Sequence, residues 1–188
     1  YISANGRINL IAQVGSAYNF YDLTSWAGNS PAAVSGSPLI SSFQATNYTQ
    51  MWSYIGTNQH VYQLYGSTIS TPSFTDITAA AANAPVAATG SALTFFLDSS
   101  NLSHWAYISA NGRINLIAQV GTTYNFYDLT TWAGNSPLAA SANPLAASFQ
   151  SSNYGQAWAY IGGNQHIYEL YGNNSNTPSN TDLIATTP

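Results

Sequence analysis

The sequence predicts an all-β fold, a β-propeller of four-stranded antiparallel blades with a period of about 53 residues, from three observations. Residues 1–15, YISANGRINLIAQVG, recur unchanged at 107–121. The dipeptide Tyr-Ile occurs four times at a constant step, beginning at residues 1, 54, 107 and 160. Each period contains four short apolar and aromatic segments separated by Gly, Asn, Ser and Pro, which is typical of strands joined by turns.

The third copy gives the order of the strands most clearly. Strands are predicted in SALTFFL at 91–97, HWAYISA at 104–110, RINLIAQ at 113–119 and YNFYDLT at 124–130. An Asn-Gly pair between the second and third strands predicts a type I′ hairpin turn, because both residues tolerate a positive φ. Apolar residues occur at both odd and even positions along the strands, as in QHVYQLYG, and so point to both faces of the sheet. This pattern predicts sheets that are covered on both faces.

These units predict a single propeller, or a segment of one, over residues 1–188. Blade 1 is partial and spans 1–31, and the complete blades 2, 3 and 4 span 32–85, 86–137 and 138–188. Copies one and three share GRINLIAQVG, whereas copies two and four share NQHVYQLYG or NQHIYELYG, so the working unit is a double repeat of 106 residues. The chain is expected to be part of a longer propeller or to form a homo-oligomer that completes a ring.

Composition excludes several classes of partner. Charged residues make up 4% of the chain, which has two arginines, no lysine and a net charge of −4. Such a chain offers a nucleic acid or an anionic membrane no basic surface, and no apolar run is long enough to cross a bilayer. Because 45% of the residues are hydrophobic, a folded core is expected despite the scarcity of charge. We expect an extracellular, secreted protein.

The repeats resemble those of fucose-binding β-propeller lectins of bacteria and fungi. The resemblance is carried by W-x-Y-I followed by N-[GQ]-[HR]-[IV], by QHVYQLYG and QHIYELYG, and by TDITAAAANAPVAATGSALT. It implies shallow sugar sites between adjacent blades, with glycans as the partners and fucose-containing glycans among the candidates. In fucose-specific members an Arg on the second strand, a Glu eleven residues later and an aromatic residue of the neighbouring blade hold the sugar.

That triad is incomplete in every copy of this sequence. Glu169 matches the Glu, while Gln63, Leu116 and Leu10 occupy the same position in the other copies. Tryptophans stand where the Arg is expected, at Trp52, Trp105 and Trp158. The resemblance therefore supports a lectin-like fold more than a particular sugar. Because aromatic residues at a fixed period in strands are normally core, the residues alone predict that these three tryptophans are buried.

Aromatic, amide and strand-end polar side chains are the candidates for sugar contacts. A Trp in a loop after the fourth strand could stack on a pyranose beside an Asn that reads its hydroxyls, or it could simply fill the gap between blades. Strand-end His and Arg could donate hydrogen bonds at a common rim, or be satisfied locally. The candidate carbohydrate-binding residues are Trp26, Trp132, Arg7, Arg113, His60, His166, Glu169, Gln63, Asn29 and Asn135.

Acidic residues point to structure rather than catalysis. Asp22, Asp76, Asp128 and Asp182 end the fourth strand of each copy, where a carboxylate caps a turn by accepting backbone N–H bonds. The two remaining acids are not paired in sequence as a glycosidase requires, and the three histidines do not have a metal-binding spacing. We expect no enzyme activity, no metal and no cofactor. Two hypotheses remain: a multivalent lectin with shallow sites between blades, and a structural extracellular repeat protein that assembles into rings or filaments without a ligand.

Overall fold

A computed structural model of the chain describes residues 1–44, 49–67, 70–140, 142–150, 155–173 and 176–185. In this part of the chain there are fourteen strands and three one-turn helices. In chain order they are β1 (Asn9–Val14), β2 (Ala17–Asp22), α1 (Leu23–Trp26), β3 (Leu39–Gln44), β4 (Thr49–Ile55), β5 (Val61–Ser67), β6 (Ser70–Asp76), α2 (Ile77–Ala80), β7 (Leu93–Leu97), β8 (Ser103–Ile108), β9 (Ile114–Val120), β10 (Thr123–Asp128), α3 (Leu129–Trp132), β11 (Leu145–Gln150), β12 (Gly155–Ile161), β13 (Ile167–Asn173) and β14 (Asn176–Asp182).

The strands form four antiparallel sheets in which neighbours in sequence are neighbours in space. Sheet I contains β1 and β2, and sheets II, III and IV contain β3–β6, β7–β10 and β11–β14. Upstream of sheet I, Ile2 makes a single antiparallel bridge with Ile8. Equivalent pairs keep their register across the double repeat, as Leu10 opposite Tyr21 and Leu116 opposite Tyr127 illustrate. The predicted all-β class and its antiparallel four-stranded unit are confirmed.

Two compact units divide the chain, and each has its own core. The first, residues 1–77, contains sheets I and II, which share a cluster that includes Ile8, Trp52 and Leu64. In the second unit, residues 78–188, sheets III and IV share a cluster that includes Leu116 and Trp158. The predicted burial of the strand tryptophans is confirmed, and in sheet II Met51 is buried on the face opposite to Trp52. As the apolar strands predict, this sheet is covered on both faces.

The turn between the second and third strands is not of type I′. In the described part of the chain, only the Gly of each Asn-Gly pair has a positive φ, 78° at both Gly6 and Gly112. The Asn accepts a side-chain hydrogen bond instead, from the hydroxyl of Ser3 to Asn5 at 2.6 Å in the first copy. In copies two and four, Gln59 (φ 65°) and Gln165 (φ 66°) take the left-handed position. A local hydrogen bond therefore decides the turn type here.

The last strand of each sheet ends at an aspartate, and in sheets I, II and III a one-turn helix begins at the next residue. Asp22 and Asp128 are the N-caps of α1 and α3, and their carboxylates accept from the backbone N–H of the residue three positions on. This satisfies one of the N–H groups that every helix leaves unpaired at its start. The expectation that these acids cap turns is confirmed. The helices end at Trp26 and Trp132 and contact the last strand of the following sheet, β6 and β14 respectively.

A second periodic contact fixes the connections between sheets. The hydroxyls of Tyr54, Tyr107 and Tyr160 donate to the carbonyl oxygens of Pro31, Pro85 and Pro137 at 2.7, 2.5 and 2.7 Å. The rings are fully or almost fully buried. Each tyrosine thereby ties the second strand of one sheet to the segment that enters it.

In the described residues, no helix has the length and apolar character that a membrane crossing requires.

Candidate binding cavities

A cavity of about 520 Å³ opens between sheets I and II, and we call it cavity A. Strands β1 and β2 and helix α1 supply one wall, and β4, β5 and β6 supply the other. Its lining is Leu10, Ala12, Gln13, Val14, Tyr21, Leu23, Trp26, Gln50, Trp52, Gly66, Ser67, Thr71 and Pro72. Most of these groups are apolar, and two glutamine amides add hydrogen-bonding capacity.

A second cavity, cavity B, lies between sheets III and IV and has a volume of about 360 Å³. Eleven of its lining positions are those of cavity A displaced by 106 residues, and ten of the eleven hold the same residue. The pairs include Leu10 and Leu116, Tyr21 and Tyr127, Trp26 and Trp132, Gln50 and Gln156, Trp52 and Trp158. The double repeat therefore builds the same cavity twice, once in each compact unit.

A stacked aromatic pair forms one wall of each cavity. The rings of Tyr21 and Trp26 are parallel within 5° with centroids 5.2 Å apart, and those of Tyr127 and Trp132 lie within 14° at 5.3 Å. Trp26 is 50% exposed and Trp132 is 42% exposed. Both tryptophans therefore present part of the ring to solvent. The second tryptophan of each cavity, Trp52 or Trp158, is buried in the facing sheet.

Cavity B has an additional wall from the hairpin between β7 and β8. His104 stacks on Phe96 with ring centroids 4.7 Å apart, and its Nε2 lies 3.4 Å from Oδ2 of Asp98. The other oxygen of Asp98 accepts from the backbone N–H groups of Ser100 and Leu102 at 2.8 and 2.9 Å. Burial lowers the pKa of His104, and the neighbouring carboxylate offsets this only in part. The ring is therefore neutral at pH 7.

The strand-end Arg and His candidates lie outside both cavities and hold the aspartates that end the fourth strands. Arg7 donates to Asp22 at 2.7 Å, and Arg113 donates to Asp128 at 2.8 Å. The Nδ1 atoms of His60 and His166 lie 2.8 and 2.7 Å from the carboxylates of Asp76 and Asp182. Of the two alternatives, local satisfaction describes these four side chains.

The remaining candidates are also absent from the described lining of cavities A and B. Asn29 and Asn135 are exposed, with φ values of 61° and 60°, and they turn the chain after α1 and α3. Gln63 is buried in β5, and Glu169, at the same position of β13, is partly buried and lies opposite Ala159 and Thr181. Of the ten candidates, the structure brings Trp26 and Trp132 to the cavities.

Sequence reasoning missed most of the cavity lining. It treated Trp52 and Trp158 as core, and it did not single out Tyr21, Tyr127 or His104. One signal was available, since Trp52 and Trp158 occupy the position of the sugar-binding Arg in the fucose-lectin triad.

The cavities suit a small ligand that has one apolar face and a hydroxyl-bearing edge. The apolar face of such a ligand can stack on the exposed indole ring, and its polar groups can form hydrogen bonds with the amides and nitrogen atoms of the opposite wall. Among the described residues no arginine or lysine lines either cavity, and His104 of cavity B is neutral, so neither cavity offers a counter-ion for an anion. In the described ranges there is also no group of three or more potential metal ligands.

Solved structures with a similar fold include two lectins in complex with methyl fucosides and the protein AofleA. SapL1 lectin, in complex with α-methyl fucoside, superposes with a TM-score of 0.69 at 12% identity, over 97% of this chain and 57% of that one. AofleA from Arthrobotrys oligospora superposes with a TM-score of 0.63 at 13% identity, and the match covers 92% of this chain and 49% of AofleA. A fucose lectin from Kordia zhangzhouensis, in complex with methyl-fucoside, superposes with a TM-score of 0.51 at 14% identity. The match covers 77% of this chain and 96% of the Kordia lectin.

The chain spans about half the length of SapL1 and AofleA. No protein-family model and no curated protein sequence matches it. The identities of 12 to 14% are too low to carry residue roles from one chain to another, so the likeness is one of fold. The resemblance that the repeats suggest is confirmed at the level of the fold: the chain has the fold of solved fucose-binding lectins.

Proposed function

We propose that this protein is a carbohydrate-binding lectin whose sugar sites are cavities A and B. The observation that carries the proposal is the recurrence of one cavity, with the same stacked Tyr-Trp pair and the same facing tryptophan, at two places 106 residues apart. Repeated equivalent sites suit a binding protein, because linked weak sites gain strength together. Catalysis instead requires one asymmetric arrangement of reacting groups.

The chemistry of the cavities favours a neutral pyranose. The C–H face of the sugar would lie on Trp26 or Trp132, as the exposed indole ring provides an apolar plate already held by its tyrosine. The amides of Gln50 or Gln156 lie on the opposite wall, where ring hydroxyls would point. SapL1 and the Kordia lectin bind methyl fucosides, so this glycoside is the first ligand to test.

We further propose that the four sheets are blades of a propeller. Two contacts inside the second unit support this arrangement of sheets III and IV: their first strands, β7 and β11, touch, with Phe96 stacked on Phe149 at 5.8 Å, and helix α3 reaches the outermost strand β14. SapL1 and AofleA are about twice as long as this chain. The additional blades would come from a second copy or from a longer chain, and the protein would work outside the cell.

A glycan array read together with tryptophan fluorescence tests the function. We expect binding of at least one neutral glycan, and a change in emission on addition of millimolar methyl α-L-fucoside or of another methyl pyranoside. Replacing Trp132 by Ala in the Trp26→Ala background should abolish binding, whereas Tyr18→Ala, which removes an exposed aromatic ring outside both cavities, should not. A folded protein that binds no glycan at millimolar concentration would refute the proposal.

A further inference from the structure

In the part of the chain that the structure describes, two buried nitrogen atoms among the side chains that line cavity B have no hydrogen-bond partner. They are Nδ1 of His104 and Nε1 of Trp158, in side chains that are 6% and 2% exposed as whole residues. Folded proteins pair nearly all buried polar groups, because an unpaired one loses its hydrogen bonds to water without compensation. Two such atoms at one cavity therefore indicate a ligand that supplies their missing partners.

The two atoms differ in what they need. Since Nε2 of the neutral His104 faces the carboxylate of Asp98, it carries the ring proton, and Nδ1 is left as an acceptor. The indole nitrogen of Trp158 can only donate. A partner for both must therefore offer a donor and an acceptor, as hydroxyl groups do. The negative charge of Asp98 further disfavours an anion at this wall.

We propose that cavity B selects its sugar through His104 and Trp158, with a hydroxyl of a neutral pyranose donating to Nδ1 of His104 and a sugar oxygen accepting from Nε1 of Trp158. This inference rests on the proposed function and specifies the polar contacts of one of its two sites. Asp98 is a positioning residue: it fixes the loop through its two backbone hydrogen bonds and orients the imidazole.

The test isolates cavity B in the Trp26→Ala background and measures binding by calorimetry. The probes are methyl α-L-fucoside, methyl α-D-mannoside and the monodeoxy analogues of whichever glycoside binds more tightly. We expect one deoxy analogue to bind about five- to tenfold more weakly than its parent, which is the effect of one hydrogen bond. His104→Phe keeps a ring to stack on Phe96 but removes both nitrogens, and it should make parent and analogue bind equally.

Tyr107→Phe is the matched control, because it removes a buried hydrogen bond of the same sheet outside the cavity. It should leave the discrimination between parent and analogue intact. If His104→Phe and Trp158→Phe both keep that discrimination while Trp132→Ala abolishes binding, this inference is wrong and the proposed function stands. If no glycoside gives a Trp132-dependent signal, the proposed function fails and the inference fails with it.

Nuclear magnetic resonance supplies a readout that does not depend on affinity. The indole N–H signal of Trp158, identified by its loss in Trp158→Phe, should shift when the sugar is added, as should the Nδ1 resonance of His104. If both resonances stay unchanged while the Trp132 signal shifts, the two nitrogens serve ordered water instead, and the inference is overturned.

Discussion

The carboxylate of Asp128 joins the guanidinium of Arg113 to the start of the helix that carries Trp132. One oxygen, Oδ2, accepts from Arg113 at 2.8 Å, and the other, Oδ1, accepts from the backbone N–H of Thr131 at 2.9 Å. In the first copy Asp22, Arg7 and Ser25 repeat the arrangement. Arg7 and Arg113, which the sequence suggested as sugar contacts, therefore stabilise the start of the helices that carry Trp26 and Trp132.

Replacing Asp128 by Ala should therefore affect both stability and binding. Loss of the helix cap is expected to lower the free energy of unfolding by about 1 kcal/mol, and a frayed α3 would no longer hold Trp132 against Tyr127. Urea unfolding and calorimetric titration with the best glycoside measure the two effects. Asp128→Asn keeps a capping oxygen and should lose less of both. If sugar binding were unchanged in a protein with a weakened cap, an intact start of α3 would not be needed for binding and the prediction would be wrong.

The two tryptophan platforms should act independently. Because cavities A and B lie in different compact units, Trp26→Ala and Trp132→Ala should each remove one site and together remove both. Calorimetry is expected to give two ligands per chain for the wild type and one for each single variant. Both rings are half exposed, so their loss should cost little stability. If either single variant abolished all binding, the sites would not be separate.

Alkaline pH should destabilise the protein through its buried tyrosines. Burial raises the pKa of Tyr54 to about 12, and burial also raises that of Tyr107. A tyrosine ionises near pH 10 in the unfolded chain. The stability that comes from burying the neutral phenol is therefore fully present below pH 10 and is lost as the pH rises toward 12. For Tyr54 the loss is at most about 3 kcal/mol.

Urea midpoints measured from pH 8 to pH 12 check this expectation. The wild type should lose stability more steeply above pH 10 than Tyr54→Phe, which has no phenol to ionise at that position. Tyr18→Phe, at an exposed position, is the control and should follow the wild type. Parallel curves for the wild type and Tyr54→Phe would contradict the prediction.

Acid should weaken the end of sheet IV. The hydrogen bond from His166 is the main cause that lowers the pKa of Asp182, and the backbone N–H groups of Ala185 and Ile184 act in the same direction. A carboxylate with a lowered pKa stabilises the fold above its unfolded value near 3.9, and this stabilisation disappears as the pH falls through the folded value. Hydrogen exchange of β14 between pH 5 and pH 2.5 should report the loss. Asp182→Asn should flatten the dependence, and an equally steep profile in that variant would assign the acid sensitivity elsewhere.

The sequence predicted the parts of this protein that depend on local pattern and repetition. The constant step located the strands, and the aspartate at the end of each copy predicted a cap. For Trp26 and Trp132 the sequence left two alternatives, a sugar platform and a side chain that fills the gap between blades. The facing wall could not be read in the same way. Which residues of one sheet meet the next depends on the twist and stagger of both, so Trp52 and Trp158 looked only like core. His104 lacked any periodic signal, because its counterparts in copies two and four are Met51 and Ala157.

The exact duplication of residues 1–15 at 107–121 has a consequence for folding. Strands β1 and β9 are identical from Asn9 to Val14 and from Asn115 to Val120, so either one offers β10 the same side chains and the same register. Chain connectivity then determines whether β10 pairs with β9 or with β1. Closing a loop of about a hundred residues costs roughly 3 to 4 kcal/mol more than closing a two-residue hairpin, so β10 pairs with β9. When two chains fold at high concentration that advantage shrinks, and strand exchange between identical repeats becomes the characteristic misfolding route of this molecule.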